Sequence, residues 1–457
     1  MISNEDTIVA ISTPPGKGGI GIIRISGHDA LKIASRVFVS KWPEKGVEPR
    51  KFYFGKAIDR DGRFLDHGYF VYFKYPASFT GEDTVEISCH GSPFIMRSIL
   101  EEIAHGGARI AEPGEFTMRA FLNGRIDLVQ AEAIRDLVEA RTSFQARIAY
   151  EQIEGELSKR LAPLKEKLLH LIADAEASLD FPDADGNFMS RAEMMDGLNF
   201  ISLEIKKLVD SYRDGRVIRE GAIVAIVGSP NVGKSSIFNQ LLKYDRAIVT
   251  DVPGTTRDTV EEMLDIGGIP VRLIDTAGLR EGKDFIEREG VRRSKDAIKK
   301  SDFILYVIDC SRQMTKKEAH FFDELIPSRT LIVESKTDLP HLLKKNVIPG
   351  RFKYSVRISA RTGEGVAELN KMIRKIISST NEEATGEAIV TNVRQGELLR
   401  KTLSALEEAN ASMKKKVSEE FILTDLRKAL DFFGEITGKV FSEEIYDRIF
   451  SKFCLGK

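Results

Sequence analysis

The segment GSPNVGKS (228–235) has the spacing G-x-x-x-x-G-K-[ST] of a phosphate-binding loop. It lies between the apolar run AIVAIV and the segment SSIFNQLLK, which predicts the strand, loop and helix that this motif needs. Gly228 and Gly233 allow successive backbone N–H groups to point at phosphate oxygens. Lys234 is predicted to reach the β- and γ-phosphates, and the hydroxyl of Ser235 to bind Mg²⁺. These residues predict a nucleoside triphosphate site.

Two further segments supply candidate groups for the γ-phosphate side of this site. The segment TDVPGTTRD (250–258) carries Thr256 as a second candidate ligand of Mg²⁺. The segment DTAG (275–278) follows the apolar run VRLI. Its Asp275 is predicted to reach the Mg²⁺ shell, and the amide of Gly278 to contact the γ-phosphate. Both segments follow the phosphate-binding loop in the order expected for a P-loop nucleotide-binding domain.

Two later segments, SKTD (335–338) and SAR (359–361), each follow a short apolar run and are candidate base-binding loops. The carboxylate of Asp338 can accept hydrogen bonds from N1–H and the 2-amino group of guanine, whereas adenine would leave that charge unpaired. We therefore predict GTP rather than ATP. The usual first residue of this element is asparagine. Ser335 is too short to make all the contacts of asparagine, which predicts weaker nucleotide affinity with unchanged base choice. The residues predicted to bind GTP are Asn231, Val232, Gly233, Lys234, Ser235, Ser236, Thr250, Asp251, Val252, Pro253, Gly254, Thr255, Thr256, Asp275, Thr276, Ala277, Gly278, Ser335, Lys336, Thr337, Asp338, Ser359, Ala360 and Arg361.

The pattern of apolar residues divides the chain into parts that would position these motifs. Residues 1–118 alternate between β-type runs such as TIVAIS, GIGIIRIS, GYFVYFKY and TVEISCH and Gly/Pro turns, and we predict an α+β domain there. Residues 119–217 and 383–457 carry apolar residues at helical spacing. Residues 218–382 alternate short strands with helices, which is typical of a parallel sheet. We predict a multidomain chain in which an α/β P-loop GTPase domain, with helices on both faces of its sheet, is inserted into an all-α domain. Two unrelated helical pieces are the alternative.

Composition limits the class of protein. The 457 residues include 68 Lys and Arg and 69 Asp and Glu, for a net charge of −1, so any contact with nucleic acid would need a local patch. Cys89, Cys310 and Cys454 are far apart and lack metal-ligand spacing, which favours a reducing compartment without a disulfide framework. The apolar runs are shorter than a membrane span, and the first residues do not resemble a signal peptide. We expect a cytoplasmic protein that does not enter a membrane.

Three weaker signals have competing interpretations. GKGGIG (16–21) matches the dinucleotide pattern G-x-G-x-x-G, but the next residues alternate like a strand, so we predict a hairpin loop. His90 is a candidate base, although a lone histidine beside glycine is more often structural. Cys454 stands four residues from the end, but CLGK does not suit a prenylation motif. A catalytic thiol and a buried tail are the readings that stay open for Cys454.

Four long segments carry a family resemblance together with the GTPase motifs: TPPGKGGIGIIRISG (13–27), FTGEDTVEISCHG (79–91), EPGEFTMRAFLNGRIDLVQAEAI (112–134) and the tail FCLGK. Through them the chain resembles the MnmE (TrmE) family of tRNA-modification GTPases over essentially its whole length. The resemblance implies an N-terminal domain that forms a homodimer and binds 5-formyl- or 5,10-methylene-tetrahydrofolate. It also implies an FAD-dependent partner, MnmG (GidA), in a heterotetramer. Together the two proteins would install an aminomethyl-type group at C5 of the wobble uridine of certain tRNAs.

The resemblance also implies roles for single residues. The implied tetrahydrofolate contacts are Arg24, Glu86, Arg125 and Lys457. The implied ligands of a K⁺ ion that stimulates GTP hydrolysis when two G domains meet are Asn231, Thr250, Val252 through its carbonyl, and Thr255. Glu287 matches the glutamate that orients the attacking water; on position alone it would be a solvated surface carboxylate. The tail is expected to fold back to the folate site, with Lys457 at the pterin and Cys454 within reach as a candidate nucleophile.

Two other functions compete with this interpretation. A GTP-dependent switch in ribosome assembly would share the P-loop class, but such proteins typically append a basic RNA-binding module, whereas residues 1–118 have balanced charge. A folate-dependent methyltransferase with a vestigial G domain is disfavoured by the intact Lys234, Ser235 and Asp338. Basic stretches such as MKKKVSE and VRRSKDAIKK could contact tRNA, but a solvated helix face is the commoner reason for such runs.

Overall fold

The computed structural model describes residues 6–180, 189–244, 261–275, 297–344, 347–377, 390–415, 417–438, 449–451, 453 and 456. The chain divides into two compact units. The first unit combines residues 1–135 with residues 434–457, and the second unit is formed by residues 136–433. The four domain boundaries predicted from the sequence stay predictions.

Among its described residues, the first unit has a seven-stranded sheet of order β3-β4-β5-β6-β2-β1-β7. Strand β7 is parallel to β1, and the other neighbouring strands are antiparallel. The four runs predicted as strands are confirmed as β1, β2, β5 and β6. The strands are β1 (Ile8–Ile11), β2 (Gly18–Ser26), β3 (Phe38–Ser40), β4 (Phe52–Ile58), β5 (Phe64–Phe73), β6 (Thr84–Gly91) and β7 (Arg109–Ile110).

Helices cover one face of this sheet. Helices α1 (Ala30–Val37) and α2 (Pro93–His105) bury apolar side chains such as Ile33 and Ile99 against a core shared with the strands. The strand-and-turn pattern of the sequence did not predict these two helices. The hairpin predicted at GKGGIG is confirmed, because β1 and β2 are antiparallel neighbours joined through that segment. A third helix, α3 (Glu115–Leu122), follows β7.

The C-terminal segment packs into the first unit. Ile449, Phe450 and Phe453 are buried in one cluster with Met118 and Leu128. Gly114, with φ of 73°, allows this approach, since a Cβ there would lie 2.6 Å from the carbonyl oxygen of Phe450. The last part of the chain is therefore anchored by apolar side chains to the N-terminal unit.

Long helices form the first part of the second unit and also its last part. The helices are α4 (Leu128–Glu139), α5 (Ser143–Ile153), α6 (Glu156–Asp180), α7 (Arg191–Glu220), α11 (Val393–Lys414) and α12 (Glu419–Thr437). The division between the units falls within α4 and within α12. The apolar stripe predicted from the sequence is confirmed in α6, where Leu164, Leu168 and Leu171 are buried. In α11, Gly396 lies against the ring of Tyr212 in α7, because a Cβ at this position would be only 2.7 Å from the ring.

In chain order, an α/β domain with a six-stranded sheet lies between α7 and α11. Its order is β13-β12-β11-β8-β10-β9, and only β9 is antiparallel to its neighbour in the described residues. Alternate residues of β8 face opposite sides: Val224 and Ile226 enter one apolar cluster, and Ala225 and Val227 the other. The predicted multidomain fold, with a P-loop α/β domain, is confirmed. The elements are β8 (Ala222–Val227), α8 (Lys234–Tyr244), β9 (Glu261–Ile266), β10 (Ile269–Asp275), β11 (Phe303–Asp309), α9 (Lys316–Phe321), β12 (Thr330–Ser335), β13 (Ser355–Arg357) and α10 (Val366–Ile377).

The parallel strands explain where a ligand would bind. Strands β8, β10, β11, β12 and β13 all end at the same edge of the sheet. The chain order reverses at β8, which lies between β10 and β11. Loops at such a reversal form the binding crevice of open α/β sheets. No helix in the described part of the chain is long and apolar enough to span a membrane.

Candidate functional site

The loop after β8 has the backbone geometry of a phosphate cradle. Gly228 has a φ of 151° and Gly233 has a φ of 100°. A residue with a side chain would be strained at the φ of Gly233, so glycine suits this position. A Cβ on Gly228 would collide with the carbonyl oxygen of Val307, so the loop passes directly against β11. Asn231 also has a positive φ, of 62°. The chain thus turns sharply between β8 and α8, and successive N–H groups can face one anion.

The first residues of α8 supply the charged group of this cradle. Lys234 is 8% exposed, and its Nζ donates to the carbonyl oxygens of Gly228 at 3.0 Å and Ser229 at 2.8 Å. Ser235 and Ser236 follow it in the first helical turn and are exposed. A helix N-terminus and an ammonium group at one loop together favour a bound phosphate.

Ser335 links the predicted base-binding loop to the phosphate-binding loop. It ends β12 and is fully buried, with its Oγ 2.5 Å from the carbonyl oxygen of Val232 and 3.0 Å from that of Ile308. The next residue, Lys336, has φ of 62°, and its Nζ donates to Asp309 at 2.6 Å. These bonds join the ends of β11 and β12 to the turn that would hold the phosphates.

Asp309 is a site residue that the sequence reasoning missed. Its side chain is buried at the end of β11 and also accepts hydrogen bonds from the backbone N–H and the hydroxyl of Ser311, at 2.9 and 2.6 Å. Burial alone would raise the pKa of Asp309, but the bonds from Lys336 and Ser311 hold that pKa below its ordinary value. An aspartate that ends a strand beside the P-loop strand was the available signal.

Glu318 in α9 is a second buried carboxylate that the sequence reasoning missed. It accepts two bonds from the guanidinium of Arg312, at 2.5 and 3.1 Å, and bonds from the backbone and hydroxyl of Thr315. Burial would raise the pKa of Glu318, but these bonds and one from the side chain of Ser229 lower it to about 2. Through Ser229, this ionised group also supports the phosphate-binding loop.

The two predicted base-binding loops meet at Asp338. This residue is exposed, and its Oδ1 accepts a hydrogen bond from the hydroxyl of the buried Ser359 at 2.8 Å. The carbonyl oxygen of Ala360 accepts from Nε2 of Gln240 in α8 at 2.6 Å. Arg361 follows and is exposed. A carboxylate fixed by a buried hydroxyl at the rim of the crevice can accept two N–H donors of a base.

Thr337 donates its N–H to the carbonyl oxygen of Ile358 at 3.3 Å, which joins the loops that follow β12 and β13. The backbone of Asp275 ends β10, beside Ile226 of β8. The remaining predicted residues of this site lie outside the described residues, so their predicted roles stay predictions. They are Thr250, Asp251, Val252, Pro253, Gly254, Thr255, Thr256, Thr276, Ala277, Gly278 and Glu287.

A second set of predicted residues meets in the first unit. Arg24 in β2 and Glu86 in β6 are opposite each other in the sheet and form an ion pair at 2.8 Å. Both side chains are 23% exposed. The carbonyl oxygen of Gly456 accepts bonds from Oγ of Ser12 at 3.1 Å and from Nη1 of Arg24 at 3.5 Å. Gly456 therefore lies beside the Arg24–Glu86 pair.

The loop between β5 and β6 borders this pair. The guanidinium of Arg24 lies 6.0 Å from the ring centre of Phe79, and Arg125 packs over Gly81 two residues later. Asn123 donates to the carbonyl oxygen of Thr80 at 2.7 Å, which holds the turn that carries Arg125. Three of the four residues implied for folate thus lie on neighbouring elements. The fourth, Lys457, and the candidate nucleophile Cys454 lie outside the described residues.

Comparison with known proteins assigns the chain to one family. Residues 7–125 match the family model "GTP-binding protein TrmE N-terminus", and residues 128–454 match "MnmE helical domain". Among curated relatives, the chain is 43% identical to the tRNA modification GTPase MnmE of Aquifex aeolicus, covering 99% of this chain and 100% of that protein. It is 43% identical to the tRNA modification GTPase MnmE of Koribacter versatilis, and the match covers 99% of this chain and 99% of that protein. It is 41% identical to the tRNA modification GTPase MnmE of Natranaerobius thermophilus, and the match covers 99% of this chain and 100% of that protein. The chain therefore belongs to the MnmE family and is a GTP hydrolase that acts in tRNA modification.

Proposed function

We propose that this GTPase, with an FAD-dependent partner of the MnmG (GidA) type, installs a (carboxymethyl)aminomethyl group at C5 of the wobble uridine of certain tRNAs. A tetrahydrofolate, either 5-formyl or 5,10-methylene, would supply the one-carbon unit. The observation that supports the folate part is the carbonyl oxygen of Gly456 beside the paired Arg24 and Glu86. A guanidinium and a carboxylate side by side suit a ligand that carries both carboxylates and N–H donors, as a folate does.

The chain's own groups are arranged to neutralise charge at the phosphates of GTP. The Lys234 ammonium and the N–H groups of its loop would offset the negative charge that develops as the γ-phosphate is transferred to water. The Asp338 carboxylate would select guanine. Ser235 is an exposed residue directly after Lys234 and is proposed as one Mg²⁺ ligand through its hydroxyl, with Thr256 as the second. Bound Mg²⁺ would neutralise the β- and γ-phosphate oxygens.

We further propose that GTP hydrolysis is stimulated by K⁺ when the G domains of a homodimer meet. Asn231 fits a ligand role, because it is exposed on the outer rim of the phosphate-binding loop. Thr250, Thr255 and the carbonyl of Val252 are the other proposed ligands. Glu287 is proposed to orient the attacking water. A monovalent cation at this position would supply the positive charge that an arginine side chain supplies in other GTPases.

The folate part is tested by calorimetric titration of the full chain with 5-formyl-tetrahydrofolate. Arg24→Ala and Glu86→Gln should each weaken binding by about 10- to 100-fold, because a hydrogen bond to a charged group contributes about 1.5–3 kcal/mol. Deletion of residues 454–457 should also weaken it. Arg97→Ala is the matched control, since Arg97 is a largely exposed arginine on α2. No binding by the unchanged protein, or equal affinity in all variants, would contradict the proposed site.

A further inference from the structure

The turn between β5 and β6 presents an aromatic ring at the surface. Phe79 is 40% exposed, whereas its neighbours Ser78 and Thr80 are buried. The hydroxyl of Ser78 donates to the carbonyl oxygen of Glu82 at 2.6 Å. The hydroxyl oxygens of Thr80 and Ser26 lie 2.7 Å apart and share a hydrogen bond. Because both neighbours are fixed from the inside of the turn, the exposed ring has a defined backbone position.

The ring of Phe79 borders the Arg24–Glu86 pair. Cζ of the Arg24 guanidinium lies 6.0 Å from the centre of this ring and 5.7 Å from the centre of the Phe116 ring. Phe116 is fully buried, so of these two rings only that of Phe79 can face a ligand. A guanidinium at this distance is attracted to the face of an aromatic ring, which favours the observed position of Phe79 beside the pair.

The row of residues across the sheet limits what a ligand can reach at this place. Arg24 lies between Ala10 of β1 and Glu86 of β6. Val71 of β5 follows Glu86 in the same row. Ala10 and Val71 are both buried, whereas the side chains of the charged pair are each 23% exposed. The accessible part of this row is therefore the charged pair, and Phe79 is an exposed apolar side chain beside it.

A reduced folate carries groups that match both parts of this surface. The pyrimidinone half of its bicyclic ring is flat, and one edge of that half presents a 2-amino group and a ring N–H. A carboxylate has about four lone-pair positions, so Glu86 can accept these two donors while it stays bonded to Arg24. When the edge is held in this way, the face of the ring is available to a neighbouring side chain. An aromatic ring is a strong partner for such a face.

We propose that Phe79 stacks on the flat half of the bicyclic ring of a reduced folate whose amino edge is bound by Glu86. Arg24 would keep Glu86 ionised and in place, and Phe79 would select a flat nitrogen heterocycle over other ligands with the same hydrogen-bond donors. This inference rests on the proposed folate site. It adds an aromatic contact to the charged residues of that site.

The experiment compares Phe79→Leu and Phe79→Trp with the matched controls Phe94→Leu and Phe94→Trp in full-length protein. Phe94 is a phenylalanine on α2 that is 78% exposed. Affinity for 5-formyl-tetrahydrofolate is measured by calorimetric titration. Phe79→Leu keeps an apolar side chain but loses the flat face, so binding should weaken by about 5-fold, the scale of one aromatic pair. Phe79→Trp should bind at least as tightly as the unchanged protein, and both Phe94 variants should bind equally well.

Fluorescence of Phe79→Trp provides a readout that a purely structural role would not give. The chain has one tryptophan, Trp42, which packs edge-on against the buried ring of Phe70. The added indole at position 79 should be quenched as folate binds, with the same Kd as in calorimetry. Phe94→Trp corrects for the emission of Trp42 and for light absorbed by the ligand. A 5-formyl-tetrahydropterin, which has the bicyclic ring without the aminobenzoyl-glutamate part, should quench the indole at position 79 at millimolar concentration.

Three results would overturn the stacking role. The first is equal folate affinity in Phe79→Leu and the unchanged protein. The second is an indole in Phe79→Trp that is not quenched, or weaker binding by Phe79→Trp than by Phe79→Leu, either of which would mean that residue 79 only shields Arg24. The third is quenching by the whole folate but not by the tetrahydropterin, which would exclude contact with the bicyclic ring. If the unchanged protein binds no folate, the proposed function itself fails, which is a separate result.

Discussion

Ser335 offers a direct test of how the nucleotide site is held together. Its hydroxyl is fully buried and lies within hydrogen-bond distance of two carbonyl oxygens, those of Val232 and Ile308. A hydroxyl has one proton, so it donates fully to only one of them, and Val232 is the nearer at 2.5 Å. Ser335→Ala removes the only hydrogen bond from this side chain to the phosphate-binding loop among the described contacts.

The size of the effect follows from the burial. A hydrogen bond lost from a buried carbonyl costs about 1–3 kcal/mol, because the carbonyl can recover neither its partner nor water. If the substitution destabilises only the GDP-bound protein by this amount, the Kd for GDP rises by roughly 5- to 150-fold. Because the unbound protein is also destabilised in part, we expect the Kd for GDP to rise by about 10-fold. Base choice should not change, because Asp338 is untouched.

Ser335→Asn should act in the opposite direction. The amide carries two protons and can donate to both carbonyl oxygens at once. Nucleotide affinity should therefore increase by about 5-fold, the value of one additional net hydrogen bond. This outcome would confirm that the serine of SKTD weakens the site, as the sequence predicts.

The assay is titration of a fluorescent GDP analogue at fixed Mg²⁺ and KCl. The matched control is Ser301→Ala, since Ser301 is also a buried serine of this domain whose hydroxyl donates to a backbone carbonyl, that of Ile298 at 3.2 Å. If Ser335→Ala binds GDP as tightly as the unchanged protein, the bond to Val232 has no role in nucleotide binding and the reasoning fails. If Ser335→Ala and Ser301→Ala lose equal affinity for GDP, the loss reflects a general destabilisation of the domain.

Four further predictions concern other parts of the two sites. Asp338→Asn should lower kcat/KM for GTP by at least about 100-fold and allow hydrolysis of xanthosine triphosphate, because an amide matches the 2-carbonyl of xanthine. The pKa of Glu318 is lowered in the folded protein, so its stabilising contribution is complete above pH 4.5 and is lost as the pH falls towards about 2. Urea midpoints measured between pH 6 and pH 3 should therefore fall more steeply for the unchanged protein than for Glu318→Gln. GTP hydrolysis should be faster in KCl than in NaCl, and Asn231→Ala should remove most of that difference; equal rates in the two salts for the unchanged protein would contradict the proposed K⁺ site. Gly456→Ala should weaken folate binding and leave GTP hydrolysis unchanged, because the added Cβ would collide with the carbonyl oxygen of Ile11.

The sequence predicted that the described nucleotide-site motifs would converge at one edge of the sheet, for a physical reason. In a parallel sheet every strand ends at the same edge, so motifs that each follow a strand must converge. Ser335, Asp338 and Ser359 are far from the phosphate-binding loop in sequence, yet strand order brings the loops that carry them to the same edge of the sheet. Asp309 was missed although its place at the end of a strand was an available signal, and Glu318 was missed because a single acidic residue carries no spacing signal. Their roles depend on burial and on partners that only the packed structure supplies.

The site in the first unit depends on information that the sequence pattern does not contain. Arg24 and Glu86 meet because β2 pairs with β6 in one particular register, and the same sequence shifted by a residue would place them on opposite faces. Asp66 is a polar residue at a buried strand position, where alternation predicts an apolar one, and its Oδ1 lies 2.8 Å from Nδ1 of His90. Only the family resemblance indicated Arg24 and Glu86, and nothing in the sequence indicated that Asp66 would be the partner of His90.

The position of the tail has a consequence for how the first unit assembles. The hydroxyl of Ser12 bonds to Gly456, 444 residues later, so this contact can form only after residue 456 has been synthesised. The aromatic side chains of Phe450 and Phe453 anchor the segment, and burial of each contributes about 1.5–3 kcal/mol. Because this apolar anchor precedes the last residues, a change at Gly456 can displace the end of the tail while the anchor stays in place. Loss of folate binding in Gly456→Ala, with the stability of the first unit retained, would therefore separate a binding role of the chain end from a role in folding.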